Sequence, residues 1–191
     1  MMNCIAALEV LAKERREEVV ITCMSNNHDW TKVTTRPELD MGLGGAMGKA
    51  SSFALGLALA RPQERLWLID GDGSLLMNLG SLVTIAAMAP KNLTHFVWEN
   101  DAYDTTGGQA VPGAGLFDFS VIARGAGYPH AFVFEEVEDF RNRVKEVLKL
   151  SGPTLVVLKV VSLGRRPPLD IRVSPTESFA RIRQILAERT A

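Results

Sequence analysis

An aspartate between two glycines is the part of the sequence best suited to chemistry: Gly71, Asp72 and Gly73 follow the apolar residues 66–69. The apolar run predicts a buried strand, and the glycines predict a tight turn into a helix that begins near Ser74. Glycine lets the backbone approach a phosphate closely, and a helix start offers N–H groups and the positive end of its dipole. A carboxylate at a strand end can also bind a Mg²⁺ ion that bridges a diphosphate. The turn therefore predicts a diphosphate and metal site.

A second oxygen ligand is predicted at the end of the next strand. The spacer after Gly73 leaves room for one helix, a turn and a returning strand at residues 94–99, which leads to Asn100. If the two strands are parallel neighbours, their carboxyl ends meet and Asn100 lies beside Asp72. A Gly-Asp-Gly turn alone would also fit an ordinary loop, with Asn100 as a capping residue. The spacing favours the metal site.

The composition predicts one globular domain, residues 1–191, with a sizeable core, because 47% of the residues are hydrophobic and 23% are charged. The 21 basic and 22 acidic residues give a formal net charge of -1, which argues against nucleic acid or an anionic membrane surface as a partner.

No apolar segment is long enough to span a membrane and no signal-peptide pattern is present, so we expect a cytoplasmic protein. Cys4 and Cys23 are too far apart for a CxxC metal site and are expected to be buried thiols.

Apolar runs alternate with helical patterns along the chain. Strands are predicted at residues 19–24, 66–69, 94–99, 131–134 and 154–161. Helices are predicted near the N-terminus and at residues 50–60, 74–88, 119–126, 138–150 and 175–189. Asp118 and Ser174 are the expected N-caps of two of them. This alternation is typical of an α/β fold, with a doubly wound, mainly parallel sheet flanked by helices and ligands at the carboxyl ends of the strands.

Three connecting segments could also contribute to function. Residues 25–40 form a polar loop after the first strand, and this loop contains His28. Residues 101–117 are rich in Gly and Pro and longer than most connections, so they predict an active-site loop. Residues 163–173 predict an extended connector whose Arg165 and Arg166 could meet a phosphate or sulfonate, although such charges are more often solvated.

The Gly-Asp-Gly turn and its spacing to Asn100 resemble the signature of thiamine-diphosphate enzymes. The segments GAMGKASSFALGLALA, IDGDGSLLMNLGSLVTIA and NDAYDTTGGQ resemble one branch of that family, the group of sulfopyruvate decarboxylase β subunits and phosphonopyruvate decarboxylases. The resemblance implies a Mg²⁺ ion held by the side chains of Asp72 and Asn100 and by the backbone carbonyl of Ala102. The other cofactor contacts that it implies are Gly45, Met47, Gly71, Gly73, Ser74 and Tyr103.

Two of these implied contacts belong to the glycine-rich loop before residues 50–60. In thiamine-diphosphate enzymes this loop supplies a backbone carbonyl to the aminopyrimidine ring and a bulky apolar side chain beneath the cofactor, which enforces its bent conformation. Gly45 and Met47 match those two positions. The small residues of the following segment predict a helix that packs closely on the sheet or on another subunit.

The resemblance also implies that this chain provides half of an active site. Thiamine catalysis requires a carboxylic acid, normally a Glu on the pyrimidine-binding domain, and no candidate for it is evident in this sequence. We therefore expect a separate pyrimidine-binding α subunit, an oligomeric assembly and no activity from this chain alone. The implied reaction is decarboxylation of a 2-oxoacid, with sulfopyruvate giving sulfoacetaldehyde and CO₂. Candidate contacts for the anionic tail of the substrate are His28, Lys49 and Gln109.

Several alternatives stay open. The substrate could be phosphonopyruvate or another 2-oxoacid, and a carboligase would use the same cofactor with a second oxoacid. A 2-oxoacid:ferredoxin oxidoreductase β subunit is expected to carry cysteines for an iron–sulfur cluster, so two isolated cysteines argue against it. A non-catalytic thiamine-diphosphate-binding module and a flavodoxin-like domain are the remaining possibilities.

Overall fold

A six-stranded parallel sheet forms the centre of the fold. The computed structural model describes residues 1–45, 47–164 and 174–189. The strands, in chain order, are β1 (Val19–Cys23), β2 (Asp40–Leu43), β3 (Leu66–Gly71), β4 (Leu93–Glu99), β5 (Ala102–Tyr103), β6 (Gln109–Ala110), β7 (His130–Phe134) and β8 (Thr154–Lys159). Strands β5 and β6 form a separate antiparallel hairpin, and the other six form the sheet in the order β2-β1-β3-β4-β8-β7. The predicted doubly wound parallel fold is therefore confirmed.

Helices cover both faces of the sheet. They are α1 (Cys4–Glu14), α2 (Ser25–Trp30), α3 (Ala50–Ala60), α4 (Asp72–Leu76), α5 (Ser81–Met88), α6 (Phe119–Ala126), α7 (Val137–Val147) and α8 (Pro175–Glu188). One face carries α3, α5, α6 and α8, and the other carries α1, α2 and α7. Within the described ranges, every helix is too short or too polar to cross a lipid bilayer.

The central strands are buried on both faces, as their continuous apolar runs predict. All of β4 is buried, with Val97 packed in the core on one face and Phe96 in the core on the other. Helix α3 lies close to the sheet because the residues that face inward are small: Ala50, Ser51, Ala54 and Ala58 are all buried. This packing confirms the prediction for α3 and provides a rigid support for the residues at the carboxyl ends of the strands.

Strand β2 was not predicted, because residues 25–40 were expected to be a loop and residues 41–49 a glycine-rich loop. It is a short edge strand that pairs only with β1 in the sheet, and it contains a glycine. Its position depends on Asp40, which accepts hydrogen bonds from Trp30 Nε1 (3.0 Å) and Thr34 Oγ1 (2.7 Å) and forms an ion pair with Arg15. These partners lie outside residues 40–43. The sequence of those four residues is therefore not enough to predict the strand.

One loop prediction and one helix prediction also need correction. The polar segment that begins at residue 25 forms helix α2, which follows Met24 in a left-handed conformation with φ 52°. The apolar pattern of residues 74–88 predicted one helix, but the structure has two, α4 and α5, separated by residues 77–80. Gly80 is the N-cap residue of α5, and in one continuous helix it would be an interior glycine, which lowers helix stability. Periodicity alone could not detect the break, since the apolar residues keep their spacing across it.

Both predicted N-caps are confirmed. Asp118 accepts hydrogen bonds from the backbone N–H groups of Ser120 and Val121 at the start of α6. Ser174 and Glu177 form a capping box at the start of α8. Arg165 and Arg166 of the predicted connector lie outside the described residues.

Gly152 has the least space of the described glycines outside the candidate site. A Cβ atom on Gly152 would lie 2.5 Å from the carbonyl oxygen of Leu93 and 3.0 Å from that of Pro90, and backbone atoms cannot rotate away. We expect Gly152→Ala to lower the free energy of unfolding by about 1 to 3 kcal/mol, measured by urea denaturation. Gly56→Ala is the matched control, because its Cβ would meet nothing within 4 Å and alanine favours helix α3. Equal unfolding midpoints for the two variants would contradict this packing.

Candidate functional site

A cleft of about 600 Å³, part of it open to solvent, lies at the carboxyl ends of β1, β3 and β4. The chain leaves β1 towards β2 on one side and returns to β3 on the other, so the cleft lies at a topological switch point, where ligands bind in open α/β sheets. Its lining includes residues after β1 and β3, in the hairpin and near the end of β8: Met24, Ser25, Asn26, Gly71, Asp72, Gly73, Ser74, Asn100, Ala102, Tyr103, Asp104 and Val160.

Backbone N–H groups hold the carboxylate of Asp72 in place. Its Oδ1 accepts from the N–H of Gly73 (2.7 Å), and its Oδ2 accepts from the N–H groups of Asn100 (3.0 Å) and Asp101 (2.7 Å). Asp72 is 3% exposed, and burial raises the pKa of its carboxyl to about 6 despite these hydrogen bonds. The side chain therefore joins the end of β3 to the loop after β4.

The loop after β4 is shaped by Asp101, whose φ of 57° lies in the left-handed region. This turn brings the N–H groups of two successive residues to Asp72. The Oδ1 of Asn100 accepts from the N–H of Ala102 (3.2 Å), and its Nδ2 donates to Asp104 (2.9 Å). The three predicted metal ligands, Asp72, Asn100 and Ala102, thus belong to one connected group of residues at the cleft.

The aromatic ring of Tyr103 lies directly against Gly73. A Cβ atom on Gly73 would be 2.3 Å from Cε1 of Tyr103 and 2.8 Å from Cδ1, so the ring occupies the space of a side chain. A Cβ on Gly71 would meet nothing within 4 Å. Of the two glycines in the turn, therefore, only Gly73 is sterically required by the protein itself.

Ser74 connects the turn to the glycine-rich loop. Its hydroxyl accepts a hydrogen bond from the N–H of Gly48 (3.2 Å) and lies 3.6 Å from the sulfur of Cys23. Burial raises the pKa of the Cys23 thiol to about 12, so at neutral pH it is not a thiolate nucleophile. Cys4 is also a buried thiol, and the prediction for both cysteines is confirmed.

The two predicted contacts in the glycine-rich loop differ in position. Met47 is half-buried and lines the cleft. Gly45 is exposed, has a left-handed φ of 62°, and is not among the residues that line the cleft.

The three candidate contacts for a substrate tail lie outside the lining of the cleft. His28 is in α2, where its carbonyl accepts from the hydroxyl of Thr31, and Lys49 is an exposed residue before α3. Gln109 is exposed in β6, and its side chain exchanges two hydrogen bonds with Thr106. Across the described part of the chain, the cleft lining contains no Lys, Arg or His side chain.

Sequence-based reasoning assigned no role in the site to three further residues near the cleft. Asp104 belongs to the motif NDAYDTTGGQ, which carries part of the family resemblance, but no local signal leads to Ser162, whose hydroxyl donates to Asp104. Glu99 ends β4, and burial raises the pKa of its carboxyl to about 7. Glu99 does not line the cleft, whereas its neighbour Trp98 does, so Glu99 does not replace the acid expected from a partner.

The oxygen-rich surroundings of Asp72 fit a Mg²⁺ diphosphate. Mg²⁺ binds one or two carboxylates and completes its octahedron with phosphate oxygens and water, so it does not need a cage of protein side chains. The described residues contain no group of three or more His, Cys, Asp or Glu side chains arranged to hold a metal. The Asp72 carboxylate, the Asn100 amide oxygen and the Ala102 carbonyl could supply the protein ligands.

Residues 21–158 match the family model described as "Thiamine pyrophosphate enzyme, C-terminal TPP binding domain". The chain belongs to this family. The matched residues include the whole Asp72 turn and the loop at Asn100, so the family assignment covers most of the cleft. It agrees with the resemblance that the motifs predicted.

Two relatives and one crystal structure show the extent of the similarity. The phosphonopyruvate decarboxylase of Streptomyces viridochromogenes is 36% identical over 186 residues, which cover 94% of this chain and 45% of that protein. The sulfopyruvate decarboxylase subunit beta of Methanocaldococcus jannaschii is 35% identical over 143 residues, or 72% of this chain and 75% of that subunit. The benzoylformate decarboxylase of Polynucleobacter necessarius has the same fold, with a TM-score of 0.72 at 20% identity over 87% of this chain and 34% of that one. This chain thus spans less than half the length of the phosphonopyruvate decarboxylase and three-quarters of the length of the sulfopyruvate decarboxylase subunit.

Proposed function

We propose that this chain is the diphosphate- and Mg²⁺-binding subunit of a thiamine-diphosphate-dependent 2-oxoacid decarboxylase. The observation that carries the proposal is the Asp72 carboxylate, which three backbone N–H groups fix beside Asn100 and Ala102. Sulfopyruvate, which would give sulfoacetaldehyde and CO₂, is the proposed substrate, and phosphonopyruvate is the second candidate. The names of the relatives support this substrate class.

The protein's proposed part in the reaction is to bind and orient the cofactor. When bound, thiamine diphosphate supplies the electron sink for loss of CO₂. Asp72, Asn100 and Ala102 would hold the Mg²⁺ that anchors its diphosphate. The remaining contacts proposed for the cofactor are Gly45, Met47, Gly71, Gly73, Ser74 and Tyr103.

A separate pyrimidine-binding α subunit is proposed to complete the site. The carboxylates that line the cleft within the described ranges are Asp72 and Asp104, and both already accept hydrogen bonds from this chain. Neither can serve as the acid that must contact the pyrimidine ring. The printed name of the relative from Methanocaldococcus jannaschii, subunit beta, supports the same division.

The partner is proposed also to bind the anionic end of the substrate. A sulfonate or phosphonate needs a cation or several converging donors, and the described lining of the cleft lacks a basic side chain. His28, Lys49 and Gln109 lie outside that lining. Single replacement of any of them should therefore leave the Michaelis constant of the assembled enzyme unchanged. A raised Michaelis constant would show that the replaced residue contacts the anionic end of the substrate.

The outer face of α5 is the proposed contact surface for the α subunit. Residues 73–90 contain no charged side chain, and Met77, Val83 and Met88 are 58%, 59% and 51% exposed. This uncharged face begins beside the cleft, because the Cβ of Met77 lies close against Gly48 of the glycine-rich loop. A subunit that covers it would therefore also close over the cofactor site. Large exposed apolar patches of this kind are typical of protein interfaces.

Calorimetric titration with thiamine diphosphate, with and without Mg²⁺, tests the proposed function. It should be run on the purified chain and on its complex with a co-expressed α subunit. We expect Mg²⁺-dependent binding by the complex, followed by CO₂ release from sulfopyruvate in a panel of 2-oxoacids, and no turnover by the chain alone. A complex that binds no cofactor would overturn the proposal, and a complex that prefers phosphonopyruvate would change the substrate.

Val83→Asp should weaken the complex at least tenfold, measured by analytical ultracentrifugation, because it buries an unpaired charge in the proposed contact. Val83 is exposed, so the variant chain should keep the melting temperature of the parent. Leu59→Asp is the matched control: Leu59 is 43% exposed near the end of α3, outside the uncharged residues 73–90. Equal affinity of the two variants for the α subunit would exclude α5 as the contact, and self-association of the parent chain that only Val83→Asp removes would assign the face to a second copy.

A further inference from the structure

Asp104 is a buried carboxylate that connects the proposed metal ligand Asn100 to a distant part of the chain. It is 3% exposed and lies in the 3₁₀ turn Asp104–Thr106, directly after β5. One of its oxygens accepts from Nδ2 of Asn100 (2.9 Å), and the other accepts from the hydroxyl of Ser162. Resting on the proposed function, we infer that Asp104 is a positioning residue that orients the Asn100 amide for Mg²⁺.

The orientation of this amide matters because its two ends differ in chemistry. Only the carbonyl oxygen of an Asn side chain can bind a cation, and the NH₂ end would direct its hydrogens at the metal. Asp104 accepts its hydrogen bond from Nδ2, so it holds the NH₂ end of Asn100 on its own side. The opposite end, Oδ1, accepts a 3.2 Å hydrogen bond from the N–H of Ala102, and a carbonyl oxygen has a second lone pair that can bind a metal.

Ser162 fixes the position of Asp104 from beyond β8. Strand β8 is parallel to β4, and the N–H of Val160 continues this pairing by donating to the carbonyl of Glu99 (2.9 Å). Ser162 therefore reaches the cleft from a segment that is anchored beside β4. Its hydroxyl also accepts from the N–H of Gly164 (3.2 Å), which leaves its proton for Asp104. The arrangement is a relay of contacts from Ser162 through Asp104 to Asn100.

This relay predicts a graded loss of metal-dependent cofactor binding. In the complex with the α subunit, Asp104→Ala should raise the Mg²⁺ concentration needed for half-maximal thiamine diphosphate binding by about 10- to 100-fold, the usual effect of removing a residue that orients a metal ligand. Asp104→Asn should lose less, because its amide oxygen still accepts from Asn100, and Ser162→Ala should lose least. Asp139→Ala, at an exposed position on α7, is the control and should bind as the parent does.

A double-mutant cycle separates positioning from a merely structural role. If Asp104 acts through Asn100, Asp104→Ala should cause no further loss in a chain that already carries Asn100→Ala. A full additional loss in that background would overturn the inference, as would parental Mg²⁺ dependence of Asp104→Ala. Calorimetry measures cofactor binding independently of catalytic activity. The melting temperatures of the cofactor-free variants show whether each variant is folded. Absence of Mg²⁺-dependent binding in the parent complex would instead reject the proposed function itself.

Discussion

Replacement of Asp72 by alanine is expected to abolish Mg²⁺-dependent binding of thiamine diphosphate, with at least a 100-fold loss of affinity in calorimetric titration. The expectation follows from the position of this carboxylate: it contacts the backbone at both strand ends, through Gly73 on one side and Asn100 and Asp101 on the other. Its removal would take away the negative ligand and the contact that holds the other two ligands near it. Both effects lower metal affinity.

The matched comparison is between two variants that each remove one negative charge. Asp72→Asn retains the size of the side chain but loses its charge, and we expect a loss of at least tenfold. Asp101→Asn lies beside Asn100 and contributes only its backbone N–H to Asp72. Asparagine tolerates the left-handed φ of 57° at position 101, so binding should stay within about threefold of the parent. Equal losses for the two variants would mean that net charge, and not a metal ligand at position 72, determines binding.

Circular dichroism of each Asp72 variant is the necessary check on folding. An Asp72→Ala chain that is folded and binds the cofactor with parental Mg²⁺ dependence would remove Asp72 from the metal site. A folded chain that binds only at a much higher Mg²⁺ concentration would still support the assignment, since Asn100 and Ala102 could retain a weak site.

The arrangement at Asp72 could be predicted because it depends on local chemistry and on one simple tertiary rule. Glycines around an aspartate predicted the turn, and apolar runs predicted β3 and β4. The rule that successive strands of a doubly wound sheet are parallel neighbours then placed Asn100 beside Asp72. The register bears this out, because Gly71 at the end of β3 pairs with Trp98 near the end of β4.

The features that were missed depend on contacts between distant residues. Strand β2 is held by Asp40, whose partner Arg15 lies in a different part of the chain, and Ser162 reaches Asp104 only because β8 lies beside β4. The direction in which a loop side chain points also depends on contacts with residues that are distant in the sequence. His28 and Gln109 lie in segments near the cleft, yet the hairpin and helix that carry them leave both outside its lining.

Gly73→Ala is expected to have the second largest effect, because the new methyl group would overlap the ring of Tyr103 at 2.3 Å. The tyrosine or the turn must shift. We expect a loss of about 1 to 3 kcal/mol in the free energy of unfolding, measured by urea denaturation, and at least a tenfold loss of affinity for thiamine diphosphate. Gly71→Ala is the matched control, since its Cβ would meet nothing within 4 Å and its φ of -102° suits alanine. The control should keep the parental stability.

The double variant Gly73→Ala/Tyr103→Ala separates two reasons for glycine at this position. If contact with Tyr103 is the reason, removing the ring should make the Gly73→Ala change nearly neutral for stability, and alanine should even favour helix α4. If the backbone must also approach a diphosphate closely, stability should return while cofactor affinity stays low. Recovery of both would show that Gly73 serves only the packing of Tyr103. Recovery of neither would show that the strain lies in the turn itself, and the role assigned to the tyrosine would be wrong.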